Sequence, residues 1–237
     1  MPEPLLLFSC EHAVNRVPDG LRGLFEDHEE LLDSHRAYDS GALELAEELA
    51  RTFSAPLFCS RVTRLLIDHN RSPYHRGLWS EFGERLEMSE RRELVEKYYL
   101  PFRTRVATSI GEGIDAGASV LHISVHSFVP VLNGVVRHTD IGFLYDPARI
   151  HEAELAKAWQ CHLQASTEEL RVHRNRPYRG RSDCHQQSYR KLYPADRYLA
   201  LELEVNQKLL GGDHRTKAML HAAVVTSLKK TLDEKER

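Results

Sequence analysis

The sequence is short of net charge, of cysteine and of long hydrophobic runs, and each shortage excludes a class of protein. The formal net charge of -3 gives no field that would recruit nucleic acid or an anionic membrane. No apolar run approaches the roughly 18 residues that a membrane span needs. The four cysteines show no CxxC spacing, and the N-terminal MPEPLLLFSC lacks the basic region of a signal peptide. We therefore expect reduced thiols and a cytoplasmic protein with no nucleic-acid or membrane partner.

What the sequence does contain is a regular alternation of strand-like and helix-like stretches. Strands are predicted at residues 5–10, 56–60, 62–68, 120–129, 138–146 and 198–206, and helices at 34–53, 84–105, 148–170 and 213–232. The dipeptide Asn133-Gly134 predicts a turn, and the arginine-rich stretch 171–190 has no apolar periodicity and predicts a loop. This order is typical of a three-layer α/β domain with a mostly parallel sheet, and we predict a single domain over residues 1–237.

Two histidines directly follow or end predicted strands. His12 comes after the strand at 5–10, and His126, with Ser127 beside it, lies near the end of the strand at 120–129. Parallel α/β sheets bind ligands in the crevice at the carboxyl ends of their strands, so these side chains can meet there. Two imidazoles and one carboxylate form a common catalytic zinc set that leaves a position open for water. The carboxylate is Asp39 or Glu11; we favour Asp39, because neighbouring side chains of an extended chain point apart.

The segment IDHNR ends the strand predicted at 62–68 with groups that can bind a carboxylate. Arg71 can hold a carboxylate with two parallel hydrogen bonds, and Asn70 can add a donor to the same group. The structural alternative is an ion pair between Asp68 and a neighbouring arginine.

Two glutamates alternate with apolar residues in the stretch LALELEV. Glu202 and Glu204 are two residues apart, so on a strand they share one face of the sheet. If the strand is central, a buried carboxylate must be paired, bound to a cation or catalytic, and either glutamate is a candidate general base. If it is an edge strand, both glutamates are ordinary solvated residues.

The arginine-rich loop at 171–190 is the last candidate region. Its arginines and tyrosines could suggest nucleic acid, but the loop stands alone in a slightly acidic chain. A loop that covers a small acidic molecule explains it better, with Asn175, Tyr178 and Arg179 as the residues we expect to contact that molecule.

Taken together, the motifs resemble one known family. The segments CEHA, YDSGALELA, SRVTRLLIDHNRSPYH, HSFVPVLNG, RHTDIGFLYD, NRPYRG and LELEVNQ occur in this order and resemble the N-formylglutamate amidohydrolase family from about residue 5 to residue 210. That family is similar to the zinc carboxypeptidases and aspartoacylases. The resemblance implies a phosphorylase/hydrolase-like α/β/α sandwich with a mostly parallel mixed sheet, a Zn²⁺ cofactor and an N-acyl amino acid as the small-molecule substrate.

The resemblance also implies roles for particular residues. SVHSF is similar to the motif that supplies a zinc ligand at a strand end, which makes His126 a ligand, with His12 as another. IDHNR is similar to the motif in which Asn70 and Arg71 would hold the substrate carboxylate. LELEV is similar to the strand that carries the catalytic glutamate, and the following Val-Asn-Gln favours Glu204 over its neighbour as the general base.

The first motif departs from the related zinc carboxypeptidases, which carry a glutamate ligand three residues after the first histidine. Here that position is Asn15, a poor metal ligand, so the third ligand rests on the choice between Asp39 and Glu11. Our hypothesis is a zinc-dependent amidohydrolase acting on an N-acylated acidic amino acid such as N-formyl-L-glutamate. Arg137 or Arg179 would meet its side-chain carboxylate. The rivals are a zinc carboxypeptidase-like peptidase and a metal-free relative that binds a small anion.

Overall fold

The sheet at the centre of the molecule has six strands, and most of them run parallel. The computed structural model describes residues 4–167 and 169–235. Its strands are β1 Leu5–Cys10, β2 Leu57–Cys59, β3 Val120–Phe128, β4 Val131–Leu132, β5 Val135–Val136, β6 Ile141–Leu144, β7 Val172–Arg174 and β8 Tyr198–Asn206. The main sheet has the order β2-β1-β3-β8-β6-β7, and only the β6–β8 pair is antiparallel. The predicted mostly parallel mixed sheet is therefore confirmed.

Helices cover both faces of this sheet. They are α1 Glu29–Leu32, α2 Ala42–Thr52, α3 Met88–Leu94, α4 Leu100–Asp115, α5 Ile150–Ser166, α6 Gln186–Leu192, α7 Gln207–Leu210 and α8 His214–Lys235. A π-helical stretch, Val95–Tyr99, joins α3 to α4, and 3-10 helices span Asp19–Phe25 and Gly83–Arg85. Apolar residues of α2, α5 and α8 pack on one face of the sheet, and those of α4 and α6 pack on the other. The layers follow the predicted α/β/α order. No helix within the described ranges is both long and apolar enough to cross a membrane.

The two central strands explain why the sheet is so apolar. All nine residues of β3 and all nine of β8 are buried, and the two strands pair in parallel along their whole length. Strands covered on both faces tolerate few exposed polar groups, so their sequences become nearly continuous apolar runs. The polar residues that interrupt these runs therefore need specific partners.

The prediction of a strand at residues 62–68 is wrong. Its apolar residues are buried in a second cluster with Phe25 and Phe82, but the backbone there forms turns. The Thr63 hydroxyl donates to the Ala37 carbonyl at 3.0 Å, and the Leu66 amide donates to the Thr63 carbonyl at 3.1 Å. A bond to a distant segment and a bond within a turn thus take the place of a strand ladder. The segment is thus a buried loop rather than a strand.

Two other predicted boundaries also differ. The helix predicted over 34–53 forms only as α2, because Gly41 immediately before it has φ of 78° and breaks the helical path. Asp39 therefore lies in the connection before α2. The loop predicted at 171–190 contains both β7 and α6. The turn predicted at Asn133-Gly134 is confirmed: these two residues join β4 to β5 in a hairpin and have φ of 50° and 77°.

A buried ion pair joins α5 to α6 and β8. Both carboxylate oxygens of Glu152 are bound: Oε1 accepts from Arg190 Nε and from the Ala200 amide, each at 3.1 Å, and Oε2 lies 3.0 Å from Arg190 Nη2. Arg149 Nε lies 3.2 Å from Oε1. Burial lowers the pKa of Arg190, but the Glu152 charge outweighs it and the pKa rises above the ordinary value.

We expect Glu152→Ala to lower the free energy of unfolding by about 3–5 kcal/mol, because it leaves a buried guanidinium without its partner. Chemical denaturation measures this change. Glu154→Ala, at an exposed position of the same helix, is the control and should change stability by no more than about 0.5 kcal/mol. Equal losses in the two variants would contradict a structural role for the buried pair.

Candidate active site

One face of the sheet becomes polar toward the carboxyl ends of its strands. Near their beginnings, β1, β3 and β8 present apolar residues to α4 and α6. Further along, alternate positions on the same face carry Ser124 and His126 on β3 and Glu202 and Glu204 on β8, all buried. The strand register places Ser124 beside Glu202 and His126 beside Glu204. The sequence thus lines up polar groups that end at the crevice above the sheet.

Three of the predicted site residues meet in this crevice. Asp39 Oδ2 lies 2.8 Å from His126 Nδ1 and 3.2 Å from His12 Nδ1. All three side chains are buried, and one ligand atom from each lies within 4.8 Å of the others. Asp39 reaches them because its backbone amide donates to the His12 carbonyl at 2.9 Å, which ties the connection before α2 to the end of β1.

The donor set suits a divalent cation. His12 Nε2 lies 2.7 Å from Asp68 Oδ1, and His126 Nε2 lies 3.3 Å from Glu11 Oε2. Because each Nε2 faces a carboxylate, its proton is stabilised there and Nδ1 is left as the metal-binding nitrogen. Two imidazole nitrogens and one carboxylate oxygen are ligands that zinc prefers. The three residues therefore fit a zinc ion. At His126, Asp39 lies beside Nδ1 and Glu11 lies beside Nε2.

Arg64 is the neighbour that balances the charge of this cluster in the structure. Its Nη1 lies 2.9 Å from His12 Nδ1 and 3.3 Å from Asp39 Oδ1. A cation held by the three side chains requires this guanidinium to withdraw from Nδ1. Its side chain is 25% exposed and lines the cavity, but Nε and Nη2 donate to the backbone carbonyls of Arg36 and His35, so a withdrawal must break or rearrange these bonds.

The protonation states of the cluster follow from its contacts. Burial raises the pKa of Asp39, but Arg64 and His12 outweigh burial and hold that pKa well below its usual range. Burial lowers the pKa of His126, but the hydrogen bonds to Asp39 and Glu11 outweigh it and raise the pKa well above the ordinary value. Without a metal, His126 is therefore protonated between two carboxylates, and a cation can take the place of the proton on Nδ1.

Glu204 differs from the other carboxylates that face the crevice. It is buried, and among the described residues its Oε2 has no hydrogen-bond partner. Burial raises its pKa to about 8; the Asp39 and Glu202 charges add to this rise, while His126 and Arg64 oppose it. Glu202, by contrast, accepts a hydrogen bond from Asn70 Nδ2 at 3.4 Å. Glu204 thus combines an unpartnered oxygen with a raised pKa at the crevice, as a proton-transfer group requires.

These groups open into one cavity of about 340 Å³. Its lining includes the three clustered residues and both glutamates of β8. The predicted substrate residues found in the lining are Asn70, Arg71, Ser127, Tyr178 and Arg179. This small cavity therefore places the guanidinium groups of Arg71 and Arg179 in the same space as the buried carboxyl group of Glu204.

Arg137 and Asn175 lie outside the lining. Arg137 Nη1 donates to the Tyr178 hydroxyl at 2.8 Å, and its guanidinium lies 4.9 Å from the centre of that ring. Asn175 Oδ1 accepts from the backbone amides of Tyr145 at 3.1 Å and Gly180 at 3.0 Å. Both residues shape the loop that carries Tyr178 and Arg179.

Asp68 belongs to two parts of the site at once. Besides its contact with His12, its Oδ1 accepts from the Asn70 amide at 2.8 Å, and its Oδ2 lies 3.7 Å from Arg71 Nε. The sequence predicts a structural ion pair between Asp68 and Arg61, Arg64 or Arg71; in the structure the partner is Arg71, and Arg64 instead contacts Asp39 and His12. The contacts of Arg64 and Asp68 with His12 join segments that are distant in sequence, so no local pattern predicts them.

Comparison with known proteins adds a family and a fold. The model of the N-formylglutamate amidohydrolase family matches residues 5–210. A crystal structure of a gene product from Agrobacterium tumefaciens is 29% identical, with 99% of this chain and 93% of that chain covered and a TM-score of 0.84. The structure of N-formylglutamate amidohydrolase from Ralstonia eutropha JMP134 is 16% identical, covers 96% of this chain and 93% of that chain, and has a TM-score of 0.71, which shows a shared fold. No curated protein sequence matches the chain.

Proposed function

Since the chain belongs to the N-formylglutamate amidohydrolase family, we propose that it hydrolyses the amide bond of an N-acylated acidic amino acid, with N-formyl-L-glutamate as the first substrate to test. The observation that carries the proposal is the free carboxyl oxygen of Glu204 in the same cavity as the His12–Asp39–His126 cluster. Amide hydrolysis needs a polarised carbonyl, an activated water and a proton for the leaving amine, and this pairing can serve all three needs.

His12, Asp39 and His126 are the proposed zinc ligands. When bound, zinc supplies a Lewis acid for the scissile carbonyl and lowers the pKa of water. Asp68 would hold the Nε2 proton of His12, which leaves its Nδ1 available to the metal. The ordinary ligand preferences of zinc, together with this arrangement, support the assignment.

Glu204 is the proposed general base. Its unpartnered Oε2 can accept the proton of the attacking water, and the same carboxyl can then protonate the leaving nitrogen. A positive charge held nearby favours the ionised form, so zinc binding would lower the pKa of Glu204 from about 8 toward neutrality. Glu204 would then have a proton affinity suited to both steps.

Arg71, with Asn70, is the proposed site for the substrate α-carboxylate. The Arg71 side chain is 35% exposed and lines the cavity, where its Nη1 donates to the Asp183 carbonyl at 2.5 Å. A partly exposed guanidinium retains donors for a ligand and can bind a carboxylate through two parallel bonds. Arg179, also in the lining, is the proposed partner for the side-chain carboxylate, and Ser127 and Tyr178 complete the wall.

Formate release from N-formyl-L-glutamate by the zinc-loaded protein tests the proposal. We expect Arg71→Ala to raise KM by about 10- to 100-fold with a smaller change in kcat, because one charged hydrogen-bonded anchor is lost. Arg181→Ala, an exposed arginine of the same loop region, is the control and should leave both constants unchanged. No hydrolysis of any N-acyl acidic amino acid by zinc-loaded wild type would refute the proposed activity.

A further inference from the structure

Glu11 is fully buried, and its two carboxylate oxygens have different surroundings. Oε1 accepts from Ser9 Oγ at 2.7 Å and from Ser124 Oγ at 3.1 Å, and it lies 3.2 Å from His185 Nδ1. Oε2 has no well-aligned hydrogen bond among the described residues and lies 3.3 Å from His126 Nε2. Oε1 is therefore held by hydrogen bonds, and Oε2 faces the Nε2 atom of His126, which is a proposed metal ligand.

The anchoring groups come from three separate elements. Ser9 is on β1, Ser124 is on β3, and His185 directly precedes α6. The anchor extends further, since Ser9 Oγ lies 2.7 Å from His122 Nε2, a side chain that is itself buried. Burial of a carboxylate costs free energy that hydrogen bonds must offset, and here the bonds to Oε1 offset it and hold the group in one orientation. Glu11 cannot turn away from His126 without breaking this network.

The surroundings of His126 Nε2 determine where its proton lies. Besides Glu11 Oε2, the atoms near Nε2 are Glu202 Oε2 at 3.9 Å and Asn70 Nδ2 at 3.5 Å. An unprotonated Nε2 would place a lone pair against two carboxylates, whereas an N–H at this position is attracted by both. The Asn70 amide is a donor and by itself favours an unprotonated Nε2, but it also donates to Glu202 Oε2 at 3.4 Å, so the two carboxylate charges outweigh it. In a singly protonated ring the proton therefore belongs on Nε2, and the lone pair on Nδ1 faces Asp39.

We propose that Glu11 is a positioning residue for the metal centre: it keeps the His126 proton on Nε2 and fixes the ring so that Nδ1 is presented to the cation. This inference rests on the proposed zinc site, and it gives a role to a side chain that amide hydrolysis itself does not use. Partners of this kind, behind the ligands, typically change metal affinity by about 10- to 100-fold when they are mutated.

The test is zinc affinity, measured by competition with a chromogenic chelator, in wild type and Glu11→Gln. The amide keeps the size of the side chain but turns a donor or a weaker acceptor toward Nε2, so we expect a loss of about 10- to 100-fold in zinc affinity. The absorption bands of the Co²⁺-substituted protein should also shift, because the ligand ring is no longer held in one tautomer and orientation. Near-ultraviolet circular dichroism and Tm establish that each variant is folded.

Glu152→Gln is the matched control, because it makes the same chemical change at a fully buried carboxylate on α5, outside the cavity lining. It should lower Tm and leave zinc affinity and the cobalt bands unchanged. Should Glu11→Gln not fold, Glu11→Asp decides: it keeps the charge, withdraws the oxygens by one methylene and should also weaken zinc binding.

Wild-type zinc affinity and an unchanged cobalt spectrum in the folded Glu11 variant would overturn the positioning role while leaving the proposed hydrolase intact. Failure of the wild-type protein itself to bind zinc would overturn both.

Discussion

Glu204→Gln should lower kcat by about 10²- to 10⁴-fold and leave the zinc content of the protein unchanged, which is the range expected for the loss of a general base. The glutamine amide has nearly the shape of the carboxyl group but cannot accept a proton from water. Since Oε2 of Glu204 has no hydrogen-bond partner in the described part of the chain, the substitution breaks no contact of that atom and should not destabilise the protein. Steady-state kinetics and elemental analysis measure the two quantities.

Glu202→Gln is the comparison that separates the two glutamates of β8. Glu202 accepts from Asn70, so its substitution should alter the substrate pocket and affect KM more than kcat. Wild-type kcat in Glu204→Gln, or the larger kcat loss in Glu202→Gln, would show that the roles have been assigned to the wrong residue.

Removal of metal with a chelator should lower activity by more than about 100-fold, because a Lewis acid contributes several kcal/mol of transition-state stabilisation. Stoichiometric Zn²⁺ should restore the wild-type protein but not His126→Ala, which loses one of the three proposed ligand atoms. The metal-free protein should also have a lower Tm, since a ligand that binds only the folded state stabilises it.

His214→Ala is the control for this experiment, because His214 is exposed at the start of α8. It should bind zinc and regain activity as the wild type does. Full activity in a chelated protein with no detectable transition metal would contradict the metal-dependent mechanism.

The central strands could be predicted from the sequence because their physics is local. The strand at residues 198–206 coincides with Tyr198–Asn206, and the alternation in LELEV places Glu202 and Glu204 on one face, as expected. Buried strands impose continuous apolar runs, and the two-residue period of a strand decides which side chains share a face. Both signals lie within a few residues of sequence.

The rest of the site depends on contacts between distant segments. The register that sets His126 beside Glu204 joins two strands that are far apart in sequence, and no local pattern encodes it. Asp39 reaches the histidines through a backbone bond to His12 rather than through a helix terminus. Asn15, where the resemblance to zinc carboxypeptidases leads one to expect a ligand, donates to Asp33 Oδ1 at 3.3 Å on the surface. The prediction of a strand at 62–68 is wrong because a buried loop has the same run of apolar residues as a buried strand.

The double use of Asp68 restricts how this site could be altered during evolution. One of its oxygens meets both His12 and the Asn70 backbone, and the other faces Arg71, so a single carboxylate sets the ligand geometry and the approach of the substrate. Neighbouring groups that share a partner do not respond additively to mutation. A lineage acquiring a new substrate through position 71 must therefore preserve the metal centre in the same step. Changes to specificity should come more easily from the opposite wall, where Tyr178 and Arg179 are carried by a loop.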